Sequence, residues 1–483
     1  MLIFGRQRQP MSQRILIFFT FFSFLLISIQ CGNRQKSNEV NYANVTDESK
    51  FLSNEEIEKE KKREKNRSEN TTPSERYADD DYLRYEDHVY RPSIKSPQLY
   101  ISGEPLSYPV LFLRDGKQLE LHFDDLKKDF QTYSYDFVHC NANWQPSGLV
   151  NTEYIEGFFN AFIEEYNYSF NTLFPYIHYH LKFPNQDIRF TKSGNYLLKV
   201  YRNNDPDDLI LTRRFFVVDQ RLSINSTVKM ATLARYRDYK QEVDFTINHA
   251  TYPIQDPYND LSVMITQNRR WDNAISDLKP LFVKTPELVY NYERENLFDG
   301  NNEFRFFDTK DLRYQSLNVD GIQIRNGQTH VYVLPDEPRS YQRYFFQNDL
   351  NGNRLIKRDD SRNANREADY IKAHFTLKRE TELSGGDVYV FGALSDWRFL
   401  PEFKMEYVEV SKEYRNTALI KQGYYNYAYV FLPHEKQSGD MSAIEGTHSE
   451  TENQYQFFVY HRQQGEIYDR LVGFSEISTG GRE

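Results

Sequence analysis

Cysteine and tryptophan are scarce in this chain of 483 residues, which contains two of the first and three of the second. Two cysteines allow at most one disulfide, and Cys31 lies at the end of an N-terminal apolar segment. We therefore expect Cys140 to be a lone, buried thiol. The net charge is -10, and no long run of lysine and arginine is free of acidic residues. Because a nucleic-acid-binding protein needs a basic face, this charge disfavours nucleic acid as a partner.

Motifs that carry catalysis or bind cofactors are also missing from the sequence. It contains no Gly-x-Ser-x-Gly nucleophile elbow, no phosphate-binding loop and no dinucleotide fingerprint. His139 and Cys140 are adjacent, but neighbours on a strand point to opposite faces, so they do not form a Cys/His pair with each other. We expect a protein that is not an enzyme and that has no cofactor and no small-molecule substrate.

Two short patterns suggest metal ligands but are incomplete in sequence. His178-Tyr179-His180 places two imidazoles on one face of a strand, yet no carboxylate or third histidine lies at a spacing that completes a site. Asp205, Asp207 and Asp208 lack the spacing of an EF-hand calcium loop, and the proline among them favours a tight turn. We expect an aromatic-rich strand at the first pattern, a hairpin turn at the second, and no metal at either.

Aromatic residues, by contrast, make up 16% of the chain, with 37 tyrosines and 36 phenylalanines. Such side chains favour strands. Strand-length patterns recur from Leu99 onward, whereas amphipathic stretches of helix length are scarce. Runs at residues 110–113 and 119–123 flank Asp115-Gly116, which is typical of a β-hairpin. The sequence predicts an all-β fold of consecutive immunoglobulin-like or E-set-like sandwiches.

The N-terminus has the features of an export signal. Basic residues up to Arg14 precede the apolar residues 15–29, a stretch shorter than the roughly 20 residues that span a bilayer as a helix. A start at Met11 would give a signal of more usual length. Cys31 resembles the lipid-attachment cysteine of a bacterial lipoprotein, although Gln30 stands where that pattern has a small residue. Conventional cleavage and an uncleaved anchor are the alternatives.

Composition divides the remainder of the chain into a polar segment and three folded units. The polar segment is charge-dense and poor in large apolar side chains, which predicts a disordered tether. The predicted divisions are a signal peptide with a candidate lipid box at 1–31, the tether at 32–84, and β-sandwich domains at 85–220, 221–378 and 379–476.

A series of motifs resembles one protein family over nearly everything after residue 85. The motifs are His122-Phe123-Asp124-Asp125-Leu126, His139-Cys140-Asn141-Ala142-Asn143-Trp144-Gln145-Pro146-Ser147, Glu153-Tyr154-Ile155-Glu156-Gly157-Phe158, and residues 169–172, 181–185, 193–196, 267–275 and 300–308. In this order they resemble the plug protein of the type IX secretion system of Bacteroidetes.

That resemblance implies a non-enzymatic protein of the cell envelope. Its partner would be the outer-membrane translocon barrel, whose periplasmic opening the plug protein seals when the barrel is idle. The location implied is the periplasm, with a tether to the outer membrane if Cys31 carries lipid. A tether would raise the local concentration of the plug near its barrel. The shared motifs look structural, so the resemblance identifies no contact residues.

A second resemblance is local. Residues 390–397 are similar to the strand-turn-tryptophan signature of starch- and glycogen-binding sandwich modules, in which Trp397 would stack on a sugar ring. The alternative function is therefore a carbohydrate-binding lipoprotein of the periplasm or cell surface. The simpler interpretation is that this turn belongs to the sandwich architecture alone.

Overall fold

The computed structural model describes residues 82–480, which are almost entirely β-structure. The predicted signal segment, Cys31 and the predicted tether up to residue 81 lie outside the described residues. Helical segments in the described range are short: Asn151–Tyr154, Ala364–Glu367 and Ser442–Glu445 are α-helical, and Ala234–Tyr236, Ala393–Ser395 and Pro401–Phe403 are 3-10 turns. None of the helices between residues 82 and 480 is long and apolar enough to cross a membrane. The predicted all-β class is confirmed.

The first sandwich is built from twelve strands. They are β1 (His88–Val89), β2 (Ile94–Ile101), β3 (Val110–Phe112), β4 (Leu119–Asp125), β5 (Tyr133–Cys140), β6 (Ile155–Gly157), β7 (Asn160–Phe162), β8 (Glu165–Tyr168), β9 (Ile177–Phe183), β10 (Ile188–Phe190), β11 (Gly194–Arg202) and β12 (Leu209–Val218).

Two sheets of these strands enclose the first core. One sheet has the order β1-β12-β11-β5-β7 with β3 beside β12, the other has the order β2-β4-β9-β8, and β6 pairs with β10. Alternation along β4 turns Leu119, Leu121 and Phe123 inward, where they join Phe137 and Phe215 from the facing sheet in one hydrophobic core. The other face of β4 is therefore free to carry polar side chains.

The next seven strands begin a second sandwich. They are β13 (Ser223–Met230), β14 (Lys240–Asn248), β15 (Leu261–Gln267), β16 (Arg270–Ser276), β17 (Phe282–Lys284), β18 (Glu287–Tyr290) and β19 (Leu297–Asp299). One sheet has the order β13-β14-β18-β17 with β19 beside β14, while β15 and β16 start the facing sheet.

The third sandwich follows before the second is complete. Its strands are β20 (Arg305–Asp308), β21 (Val319–Arg325), β22 (Gln328–Val333), β23 (Arg354–Ile356), β24 (Tyr370–Lys378), β25 (Gly386–Phe391), β26 (Glu406–Val408), β27 (Glu413–Lys421) and β28 (Gly423–Pro433). The sheet β21-β22-β24-β27-β26 faces the sheet β20-β28-β23, in which β25 also pairs with β28. Phe307, Val331, Phe375 and Tyr427 lie in the core between them.

Two C-terminal strands, β29 (Gln454–His461) and β30 (Arg470–Ser478), complete the second sandwich in the order β16-β15-β29-β30. Phe457 and Val459 of β29 pack with Phe245 and Ile265 in one core. Strand pairing thus crosses the predicted domain boundary between residues 378 and 379. β15 and β24 precede this boundary, and they pair with β29 and β27, which follow it. Alternating patterns locate strands, but they do not specify which distant strand completes a sheet.

The predicted hairpin around Asp115-Gly116 is wrong. β3 lies parallel to β12, whereas β4 lies between β2 and β9 in the facing sheet, so this turn connects two sheets. Asp115 caps the turn by accepting hydrogen bonds from the amides of Phe112 and Lys117. An Asp-Gly turn can connect two paired strands of one sheet or two strands of facing sheets, because it reverses the chain without determining which strands then pair.

Buried contacts join the first sandwich to each of the other two. Trp144 and Phe216 of the first sandwich pack with Trp271, Phe458 and Tyr460 of the second. The joint with the third sandwich is polar. It contains the ion pairs Asp124–Lys421, Arg213–Asp396 and Glu86–Arg398.

Candidate interaction surface and polar clusters

Large aromatic side chains are exposed along one short stretch of the first sandwich. Residues 158–170 contain six of them, which we call the aromatic edge: Phe158, Phe159, Phe162, Tyr166, Tyr168 and Phe170. Their exposed fractions run from 37% to 64%, whereas Phe123 and Tyr179 in the same sandwich are almost fully buried. Grouped exposed aromatic rings are typical of surfaces that contact another protein.

The aromatic edge is exposed because both sheets of the first sandwich end there. β7 pairs with β5 alone and β8 pairs with β9 alone, so each is the last strand of its sheet within residues 82–480. The rings beyond the sheet margins are only partly supported: Tyr166, for example, packs at a tilt against Phe130 with their ring centroids 4.5 Å apart. Edge strands present open N–H and C=O groups, to which a strand of another protein can add.

A polar cluster lies on the face of β4 and β9 that points away from the core. Antiparallel register places His122 opposite His180, Asp124 opposite His178, and Glu120 opposite Lys182. His178 and His180 do share one face of a strand, as predicted. Sequence spacing did not indicate their partners, because Glu120 and His122 come from another strand.

Hydrogen bonds connect this cluster to the third sandwich. His122 Nδ1 lies 3.0 Å from His178 Nε2, and His178 Nδ1 lies 2.7 Å from an oxygen of Asp124. The other oxygen of Asp124 accepts hydrogen bonds from Lys421 Nζ and the Tyr370 hydroxyl, each at 2.6 Å. Burial lowers the pKa of His122 to about 4 and also lowers the pKa of His178, against the raising effect of Asp124 on His178.

The other sequence patterns have structural roles. Cys140 lies in the core shared with the second sandwich, and burial raises its thiol pKa to about 12. His139 points to the opposite face, where it contacts the carbonyl of Ser193 at 3.1 Å. The expected separation of these two side chains is confirmed. The hairpin turn predicted at Asp205, Asp207 and Asp208 is also confirmed, since it connects β11 to β12, which pair with each other. Asp208 forms an ion pair with Arg91 at 2.9 Å.

Trp397 is half-buried at the start of the segment that follows β25. Its ring packs edge-on against Phe304 and Phe391, with ring centroids 5.9 and 5.7 Å away. It also lines a cavity of about 140 Å³ between the sandwiches, together with Arg213 and Arg354. Both arginines form ion pairs with Asp396, so the neighbourhood serves the joint between sandwiches. Sugar stacking by Trp397 stays a prediction.

Comparison with known proteins identifies the family. Residues 94–219 match the model of the first domain of the type 9 secretion system plug protein. The chain belongs to this plug-protein family. It is also 34% identical to a hypothetical protein from Parabacteroides merdae whose crystal structure has been solved; the match covers 82% of this chain and 100% of the other, with a TM-score of 0.80. No curated protein matches the chain.

Membership of the plug-protein family associates the chain with type IX secretion and the cell envelope. The matched range contains both features described above, the aromatic edge and the polar cluster of β4 and β9. The third sandwich lies outside that range, although its Lys421 and Tyr370 reach Asp124 within it.

Proposed function

We propose that the protein is a non-enzymatic plug that binds the periplasmic opening of the type IX outer-membrane translocon barrel and seals it when idle. The observation that carries the proposal is that the domain matched by the family model presents the aromatic edge. Its six rings supply the apolar centre of a contact, and the exposed Glu156, Glu164 and Glu165 lie among them as a polar rim.

The packing of the sandwiches supports a blocking role. A plug must keep its shape against an opening, and the described residues belong to one compact unit with buried joints between its sandwiches. The contact must also be reversible, because the same barrel has to open for secretion. A modest group of aromatic side chains with charged neighbours suits a reversible contact better than a large, wholly apolar interface does.

Co-purification from the native envelope tests the proposal. Tagged wild-type protein should recover the translocon barrel, and the triple variant Phe158→Ser, Phe162→Ser and Tyr168→Ser should lose it, because hot-spot aromatic residues supply most of a contact's energy. The control is Tyr341→Ser with Phe345→Ser, which removes two rings outside the aromatic edge that are even more exposed, at 85% and 80%. Equal recovery of the barrel by the aromatic-edge variant and the control would refute this binding surface.

Anchoring forms a separate part of the proposal. We propose that the mature chain starts at Cys31, carries lipid there and is held at the periplasmic face of the outer membrane. A Cys31→Ser variant should then leave the membrane fraction for the soluble periplasmic fraction. Mass spectrometry of the mature N-terminus reports the modification directly. An unmodified N-terminus at another residue would exclude lipid attachment at Cys31.

A further inference from the structure

We propose that Glu120, His122 and His180 form a binding site for a divalent transition-metal ion of the zinc class. Each of the three side chains offers one ligand atom, and these atoms lie within 4.8 Å of one another. Two imidazole nitrogens and one carboxylate oxygen form a ligand set that Zn²⁺ and its neighbours in the first transition row prefer. Mg²⁺ and Ca²⁺ prefer oxygen ligands throughout.

The contacts of the cluster place one nitrogen of His122 beside the Glu120 carboxylate. Asp124 is an acceptor paired with Lys421, so His178 Nδ1 must donate to it. His178 Nε2 in turn lies 3.0 Å from His122 Nδ1. His122 Nε2, the other nitrogen of that ring, lies 3.2 Å from a Glu120 oxygen. A metal ion bound by these two atoms would take the place of a hydrogen between them.

His180 supplies the third ligand in the same way. Its Nδ1 lies 2.9 Å from a carboxylate oxygen of Glu165, so the hydrogen is on Nδ1 and the lone pair is on Nε2. That Nε2 atom is buried and has no hydrogen-bond partner in the described structure. The rings of His180 and His122 are parallel with their centroids 4.4 Å apart, so the two planes must tilt toward each other when both nitrogens bind one ion. In metal sites a carboxylate commonly accepts the hydrogen from the far nitrogen of a ligating histidine, which orients the ring and makes it a stronger ligand.

The remaining contacts orient the carboxylate ligand. The second oxygen of Glu120 accepts hydrogen bonds from the Ser102 hydroxyl at 2.5 Å and from Lys182 Nζ at 2.9 Å. Lys182 is 41% exposed, so solvent screens its charge from the site. Three protein ligands leave a fourth tetrahedral position for water. Tyr100, which stacks on His122, also lines an open cavity of about 290 Å³.

Calorimetric titration of the chelator-treated full-length protein with Zn²⁺ tests the site. Wild type should bind one ion, and Glu120→Gln or His180→Gln should lower the affinity by about tenfold or more. Substitution by Co²⁺ should give the visible absorption of a tetrahedral site. The matched control is His374→Gln, which breaks the cross-strand histidine pair His330–His374, whose ring nitrogens lie 2.8 Å apart without a carboxylate ligand.

A surface variant keeps the test decisive if a ligand variant fails to fold. The Glu165 side chain is 68% exposed, so Glu165→Ala should leave the fold intact while weakening Zn²⁺ binding by about 10–100-fold. Its control is Glu164→Ala, which removes the adjacent exposed carboxylate. The absence of saturable binding to wild type would overturn the proposal. So would binding that survives Glu165→Ala and His180→Gln but is lost in His374→Gln.

Discussion

Replacing Lys421 by methionine tests the polar joint between the first and third sandwiches. Lys421 ends β27 and its Nζ lies 2.6 Å from an oxygen of Asp124 on β4; the two side chains are 2% and 1% exposed. Tyr370 and His178 donate to the same carboxylate. Burial alone would raise the pKa of Asp124, but Lys421 and His178 hold it below its usual value. Asp124 is therefore ionised at neutral pH, and its negative charge opposes the burial that lowers the pKa of Lys421.

The expected loss of stability in Lys421→Met follows from the unpaired charge that Asp124 keeps. Removing one partner of a buried ion pair leaves the other without compensation and costs about 3–5 kcal/mol. Methionine fills the space of the lysine stem, so little of this cost comes from lost packing. The double variant Asp124→Asn with Lys421→Met leaves no unpaired charge. We expect it to recover a large part of the lost free energy of unfolding.

Urea unfolding, followed by far-UV circular dichroism in the presence of chelator, measures these differences without a contribution from bound metal. The control is Lys117→Met, which removes an ion pair with Glu104 whose side chains are 49% and 54% exposed. It should change the free energy of unfolding by less than about 1 kcal/mol. A Lys421→Met variant as stable as this control would refute the reasoning, as would a double variant less stable than the single one.

Three further predictions concern the third sandwich and the residues that flank its strands. Burial raises the pKa of Asp349 to about 7 from 3.8, so the free energy of unfolding should fall as pH rises between these values. In urea titrations at several pH values, Asp349→Asn should remove this dependence of the free energy of unfolding on pH. An unchanged dependence in the variant would contradict the prediction. Gly352 has φ of 77°, and an added Cβ would lie 2.3 Å from the Trp397 ring, so Gly352→Ala should cost about 1–3 kcal/mol. An unchanged midpoint of thermal unfolding would show that the ring moves freely. Trp397→Ala should lower stability by about 3 kcal/mol, and only the carbohydrate-binding alternative predicts that it also abolishes retention on immobilised glycogen.

The strands were predictable from sequence to a large extent, but their partners were not. Alternation along residues 119–123 and 133–139 located β4 and β5, and the polar turn at 203–208 correctly predicted the β11–β12 hairpin. Long-range pairing is decided by packing across sheets, which local patterns do not encode. That is why β29, far along the chain, pairs with β15.

The candidate sites show the same limit. His178 and His180 stood out in the sequence, whereas His122 and Glu120 became visible only when antiparallel register placed β4 beside β9. The aromatic edge was hidden for another reason. Phenylalanine and tyrosine are abundant along the whole chain, so nothing in the local pattern separates the exposed Phe158 from a core ring. Exposure is decided by where the sheets end.

The insertion of the third sandwich into the second restricts motion between them. Two connections run between these sandwiches, one on each side of the inserted strands, and they hydrogen-bond to each other: the His448 amide donates to the Asn301 carbonyl at 2.8 Å, and the Thr451 hydroxyl donates to the same carbonyl at 2.9 Å. At Gly300 a Cβ would lie 1.9 Å from the His448 carbonyl oxygen, so only glycine permits this approach. A single connection can act as a hinge, but two paired connections resist both bending and twisting. Together with the buried Asp124–Lys421 pair, we expect them to hold the three sandwiches as one body, a rigidity that suits the proposed plug function.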